Sequence, residues 1–296
     1  MAMVQPGNLQ RRVWAARVAM WLFLLITLSP LVVLVLASLE SGNTVTGSLI
    51  PRHFSLGHWY LALGIPWTEA DGSITPPPFP LLTWLWNSIK VAIISSAVIV
   101  MFTTIGAYAC ARRRFHGQRV LLAIMIILPM FPPVLALTGI HSLFDQLGHY
   151  LAWLGVDSLW SLTLAHLGGA ILPFWLLKGY LTTIDSAPEE AAIIAGATTW
   201  QVLRYILLPS FAPILMTAFT LAFIASMTEF PVASVLLHST DKLTLPVGLR
   251  HYLRPEHFLW QDFAAAAILC GLPITVVFLI GQRWLVSGQN VFRVRD

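Results

Sequence analysis

Charge is what this chain has least of. Asp, Glu, Lys and Arg make up only 10% of its 296 residues, against 57% hydrophobic, and mean hydropathy is +0.77. A chain of this composition cannot surround a core with a solvated surface, so an ordinary soluble domain is excluded. Lysine is nearly missing: Lys90, Lys178 and Lys242 are the whole set, and none follows a glycine. There is accordingly no G-x-x-x-x-G-K-[ST] loop to cradle nucleotide phosphates. Cysteine is scarce too. Cys110 and Cys270 lie inside apolar runs without metal-ligand spacing, so packing is their expected role and no metal site is assigned. No internal repeat or low-complexity tract is visible, which counts against the inverted-repeat build of many secondary transporters. The net charge of +4 belongs mostly to loops and carries topology, not a nucleic-acid footprint.

What the chain does have is apolar runs of spanning length. About 20 residues cross the hydrocarbon core, and six segments qualify: 18–39, 91–111, 120–144, 158–177, 205–228 and 263–282. None contains Asp, Glu, Lys or Arg, so an intramembrane proton relay of the usual kind is absent. The first run is too long for a cleaved signal and reads as a retained anchor. The third is interrupted by Pro129, Pro132 and Pro133, which predicts a kinked or broken helix. His141 and His166 fall in the third and fourth spans, where each either bonds a neighbouring helix or meets a substrate hydroxyl.

Orientation follows from the basic residues. An inside N-terminus puts Arg11, Arg12, Arg17, Arg112, Arg113, Arg114, Arg119, Lys178, Arg204, Arg283, Arg293 and Arg295 in the cytoplasm, twelve of the 17. The resulting partition is a cytoplasmic N-terminus (1–17), a first span (18–39), a periplasmic loop (40–84), a five-helix core (85–282) and a cytoplasmic tail (283–296). The first outer loop carries Pro76, Pro77, Pro78 and Pro80, and its Trp59, Trp67, Trp84 and Trp86 suit an interfacial belt or a lined surface. A second outer segment begins with the semi-apolar stretch 230–237, expected to be re-entrant or packed on the bundle. Further along it, Tyr252, Arg254, Pro255, His257, Phe258 and Trp260 mix aromatic and charged groups, as a contact loop would and a solvated loop also can.

The long polar interruption on the cytoplasmic side is 185–209. Ser186 and Glu189 have capping-box spacing around a tolerated first-turn Pro188. Gly196 is placed to end the helix in a left-handed conformation, and Thr198 with Gln201 offers a second capping box. The prediction is helix, sharp turn, helix. An amphipathic helix on the membrane surface is the alternative. Ala191, Ala192 and Ala195 speak against it, because small residues admit another protein's backbone but bury little in lipid.

Glu190, Ala191 and Ala192, three residues, Gly196, then Ile206, Leu207, Leu208 and Pro209 resemble the EAA loop of the permease subunits of ABC importers. Stretches at 1–6, 47–51, 75–80, 85–88, 231–234 and 262–267 extend the likeness, over nearly the whole chain, to the permeases of maltose/maltodextrin importers. The resemblance implies an all-α polytopic protein with six transmembrane helices, a type I importer fold and a cytoplasmic coupling helix, in the bacterial inner membrane. It implies that Glu190, Ala191, Ala192, Gly196 and Pro209 couple to an ATPase, and that Tyr252, Arg254, Pro255, His257, Phe258 and Trp260 contact a binding protein. Its implied partners are a second homologous permease, two copies of a cytoplasmic ATPase that bind the ATP and Mg, a periplasmic sugar-binding protein, and membrane lipid, with no nucleic acid. Two departures stand out: Ala195 occupies the place where relatives tend to carry Asp, and the tail 292–296 is more basic than expected.

The chain itself thus reads as a transport subunit, not an enzyme, with no bound cofactor and no catalytic or substrate residue assigned. A stand-alone six-helix secondary transporter or channel is the competing reading, and a membrane-embedded enzyme or scaffold a third. The loop 185–209 separates the first from the others, since a stand-alone channel has no reason to present a capped, small-residue helix.

Overall fold

The computed structural model describes residues 7–43, 51–69 and 72–291. The stretches 1–6 and 47–50 and the tail 292–296 lie outside them. The chain divides into two compact units, 1–79 with 252–269 and 80–251 with 270–296.

In the first unit, helix α1 (Gly7–Ser38) carries apolar side chains such as Trp21, Phe23 and Ile26 that are exposed along its length. After it come a short helix α2 (Gly57–Ala62) and a two-stranded hairpin of β1 (Trp67–Thr68) and β2 (Ile74–Thr75). Buried polar groups hold this unit together. The His58 Nδ1 lies 2.6 Å from the Asp262 Oδ1, and the Asn43 amide donates to the Asp262 Oδ2 at 2.9 Å. The Glu40 carboxylate accepts the Arg52 N–H at 2.9 Å.

The second unit begins with helix α3 (Leu81–Arg112), ten residues before the apolar run starts. The reason is that its first turns are polar but satisfied. Trp84, fully buried, donates to the Thr240 carbonyl at 2.6 Å, and Asn87 donates to the carbonyls of Asp241 and Leu243. The Ser88 hydroxyl accepts the Leu245 N–H at 2.8 Å. Trp84 is therefore a core residue, which corrects its placement in an interfacial belt.

The third apolar segment is broken as its prolines predict. Helix α4 (Gln118–Ile127) passes through a 3-10 turn into helix α5 (Pro133–Tyr150), with a bend of 107°. The fourth is also interrupted, by a 3-10 stretch at His166–Ala170 between α6 (Leu159–Ala165) and α7 (Ile171–Thr183). Gly168 and Gly169, poor helix formers, sit in that interruption. Helices α8 (Ala187–Ile194) and α9 (Thr199–Gln201) follow. A π-helical segment, Val202–Leu207, then leads into α10 (Leu208–Met227), and two short helices, α11 (Pro231–Leu236) and α12 (Leu245–Leu249), come next. Strands β3 (Leu253–Arg254) and β4 (His257–Phe258) and helix α13 (Trp260–Val291) complete the order. Among the described residues five helices are long and apolar enough to span, six if the bent pair counts as one span.

Helices α3, α7 and α10 pack on one another around Phe174, Leu177, Leu181, Val202, Leu207 and Phe211. Cys110 belongs to this cluster, in the packing role expected of it. Asp157 anchors the segment after α11: at φ 64, a conformation Asp tolerates, it accepts from the N–H groups of His238 and Ser239, the Ser239 hydroxyl and Lys242. Burial raises its pKa, but these bonds outweigh it and hold the carboxyl far below its ordinary range. The stretch 230–237 is packed, as α11, against α5 and α6.

Candidate coupling and contact sites

The loop 185–209 folds as helix, turn, helix, but its first cap is not the expected one. Ser186 makes no capping bond to the α8 backbone; its hydroxyl donates to the Glu190 Oε1 at 2.7 Å. The Asp185 carboxylate accepts the Ala187 N–H at 3.1 Å in its place. Glu189 is drawn inward instead of reaching back. It is buried and paired with Arg112, whose Nη2 lies 2.8 Å from its Oε1. A half-buried cation outcompetes a local backbone N–H for this buried carboxylate, because a charge-assisted bond in low dielectric is the stronger of the two.

The turn behaves as predicted. Gly196 has φ +90. The Ala197 N–H bonds to the Ala192 carbonyl at 2.9 Å and the Gly196 N–H to the Ile193 carbonyl at 3.0 Å, the two bonds of a Schellman motif. The second capping box forms in full: Thr198 Oγ1 accepts the Gln201 N–H, and Gln201 Oε1 accepts the Thr198 N–H at 2.8 Å.

Two consecutive arginines at the end of α3 grip both short helices. Arg112 holds Glu189 on α8 and also donates to the Ile184 carbonyl just after α7, at 3.1 Å. Arg113 donates to the Thr199 hydroxyl on α9 at 2.7 Å. Sequence reasoning counted these residues only as topology signals. Only Glu189 and Ala192 of α8 face inward; Glu190, Ala191, Ile193 and Ile194, the last 87% exposed, are turned out, with Ala195 at its end. Ala192 is half-buried against the α3/α7/α10 cluster, so it supports the helix and is not displayed by it. Pro209 is exposed in the first turn of α10.

On the other loop, β3 and β4 pair as a tight hairpin, Leu253 with Phe258 and Arg254 with His257, turning at Pro255 and Glu256. Arg254, Pro255 and Phe258 are exposed on it. The His257 side chain lies outside the described residues. Tyr252 corrects the expectation: only 1% exposed, it packs edge-on against Phe79 with ring centroids 4.8 Å apart. Burial, with the nearby Asp262 charge, pushes its phenol up in pKa. Tyr252 thus supports the hairpin instead of touching a partner. The half-buried Trp260 is stacked between Phe258 (6.2 Å) and Phe263 (5.6 Å).

His166 takes the first of its two sequence roles. Its Nδ1 lies 2.7 Å from the Ser226 hydroxyl on α10, which also accepts from Ser95 on α3, and its Nε2 lies 3.5 Å from Glu229. Burial raises the Glu229 pKa, but the bonds from His166 and from the N–H groups of Val232 and Ala233 lower it overall. Among the described residues no group of His, Cys, Asp and Glu could hold a metal. A cavity of about 870 Å³ lies where both helix interruptions meet, walled by Pro129, Phe131, Gly168, Gly169 and Trp175.

Residues 103–290 match the family of binding-protein-dependent transport system inner membrane components, and the chain belongs to that family. It is 54% identical over 295 residues to the maltose/maltodextrin transport system permease protein MalG of Vibrio vulnificus (strain YJ016), covering 100% of both chains. To the MalG of Escherichia coli (strain K12) it is 51% identical, again over 100% of both. Among solved structures, a bacterial ABC transporter involved in the import of the acidic polysaccharide alginate matches with TM-score 0.74 at 20% identity, over 94% of this chain and 98% of that one. Alginate ABC transporter in complex with a pentasaccharide-bound periplasmic protein gives TM-score 0.60 at 16% identity, over 92% and 93%. These likenesses establish the fold: an all-α ABC importer permease.

Proposed function

We propose that this chain is the membrane-spanning permease subunit of an ATP-driven importer of maltose and maltodextrins, working by alternating access. Full-length identity to the MalG relatives supports the sugar class. The observation that carries the mechanism is α8: a helix held from behind by Arg112 through the buried Glu189 and showing Glu190, Ala191, Ile193 and Ile194 outward. A partner ATPase, two copies per complex and holding ATP and Mg, docks on that face. A second homologous permease completes the pathway and covers exposed apolar surface, while a periplasmic sugar-binding protein meets the 253–258 hairpin. Both termini and the α8 loop are cytoplasmic, as the distribution of Lys and Arg favours.

The test is to isolate the chain from native membranes, ask whether an ATPase accompanies it, and measure hydrolysis after reconstitution with loaded binding protein and maltose, longer maltodextrins or trehalose. Stimulation by maltose and maltodextrins, lost in Glu190→Lys together with ATPase association, is expected. An inserted Glu190→Lys chain that keeps its ATPase and transports normally would overturn the docking face; stimulation by trehalose alone would overturn the sugar.

A further inference from the structure

The junction of α3 and α4, residues 112–119, holds four arginines within eight residues, and they divide by role. Arg112 and Arg113 are engaged with α7, α8 and α9. Arg114 and Arg119 have no acidic partner among the described residues. They line an open cleft of about 510 Å³ with Phe115, Gly117, Gln118 and Val120, and no carboxylate shares it. The cleft is a formed feature of the loop. Gly117, at φ +85, turns the chain into α4, and the Gln118 amide donates back to the Cys110 carbonyl at 2.7 Å, fixing the loop against the end of α3. Along the cleft and the first turns of α4, Phe115, Val120, Leu121 and Ile124 are exposed.

We infer that this cleft binds the headgroup of an anionic phospholipid. Two unpaired guanidiniums suit a phosphodiester, and the exposed apolar residues beside them suit acyl chains. A free anion has no use for the apolar edge, and an acidic protein segment has none for a site beside a span; an amphiphile uses both. A basic cluster at the end of a span lies where the anionic leaflet surface attracts it. The inference rests on membrane insertion but on neither the sugar nor the ATPase.

The test uses the full-length chain with its co-purifying subunits, exchanged into mixed micelles of phosphatidylglycerol and phosphatidylcholine. Retained lipid is identified by native mass spectrometry. The wild type should keep phosphatidylglycerol in preference. Arg114→Gln with Arg119→Gln should weaken that preference by about fivefold per arginine, about 25-fold for the pair. The Lys pair at the same positions, which retains charge, should keep most of it, and shows that loss in the Gln pair is not misfolding. Arg11→Gln with Arg12→Gln, exposed basic residues elsewhere, should change nothing. An unchanged preference in the Arg114/Arg119 Gln pair overturns the inference. So does an equal loss in the Arg11/Arg12 pair, which would mean undirected surface charge, or displacement of the lipid by inorganic phosphate, which would mean a simple anion site.

Discussion

Arg112 and Glu189, 77 residues apart in sequence, form an ion pair at 2.8 Å with the carboxylate only 6% exposed. Arg112→Ala strands a buried carboxylate, and breaking such a pair from one side costs about 3–5 kcal/mol. Arg112→Leu combined with Glu189→Leu leaves no unpaired charge and should recover much of that stability. It should not recover coupling between hydrolysis and transport, because α8 then loses its directed hold on α3. Thermal unfolding of the purified complex, set beside transport per ATP hydrolysed, separates the two. A double variant with normal coupling would show the pair to be structural only.

Gly196→Val should disturb the α8–α9 angle more than Gly196→Asn. Nothing lies within 4 Å of an added Cβ there, so the cost is conformational. A Cβ in the left-handed region costs about 1–2 kcal/mol, which Asn partly escapes. Transport rates of the two variants, normalised to the amount in the membrane, are the measurement, and equal rates would count against the turn's role.

Gly248→Ala is expected to be severely destabilising, because its Cβ would sit 2.0 Å from the ring of Trp84, itself buried and bonded to Thr240. Overpacking typically costs about 1–3 kcal/mol, and a rigid indole cannot yield cheaply. Gly179→Ala, with open space around its position, is the matched control and should be neutral or mildly stabilising. Similar thermal midpoints for the two variants would contradict this packing.

Asp157 ties the segment 238–242 with a pH signature of known sign. Its folded pKa lies below the ordinary value of 3.8, so its contribution is present above that value and is lost as pH falls through the folded pKa. Asp157→Asn should therefore lower stability by a constant amount at neutral and mildly acidic pH, with the gap from wild type closing only in strong acid. Parallel denaturation series from pH 7 downward measure this. A gap that widens on acidification would reverse the assignment.

The parts of this fold readable from sequence were those with a local cause. Proline spacing announced the break after α4, and glycine and threonine chemistry announced the turn at 195–198. What stayed hidden depended on tertiary partners. Trp84 looked like loop, and Asn87 and Ser88 fell ahead of the apolar run that begins at 91, because hydropathy scores them against lipid, whereas each is satisfied by the distant segment 240–245. Glu189 had cap spacing, yet a cation from another helix claimed it. Tyr252 had the composition of a contact residue and the burial of a core residue. The three adjacent arginines 112–114 that close a span carried topology in the sequence, and nothing local marked two of them as grips on distant helices.

Helix α3 is pinned at both ends by side chains of fixed identity, Trp84, Asn87 and Ser88 at one and Arg112 and Arg113 at the other. Between Ser88 and Arg112 it therefore acts as a ruler, about 36 Å long at 1.5 Å per residue, and as a protractor as well. Inserting one residue in that interval swings the arginine pair by about 100° and unseats both grips at once. An insertion of four restores the angle to within about 40° but lengthens the rod by about 6 Å. Sequence change between the two sets of pins is constrained in count everywhere and, at Ser95, whose hydroxyl donates to Ser226 on α10, in chemistry as well.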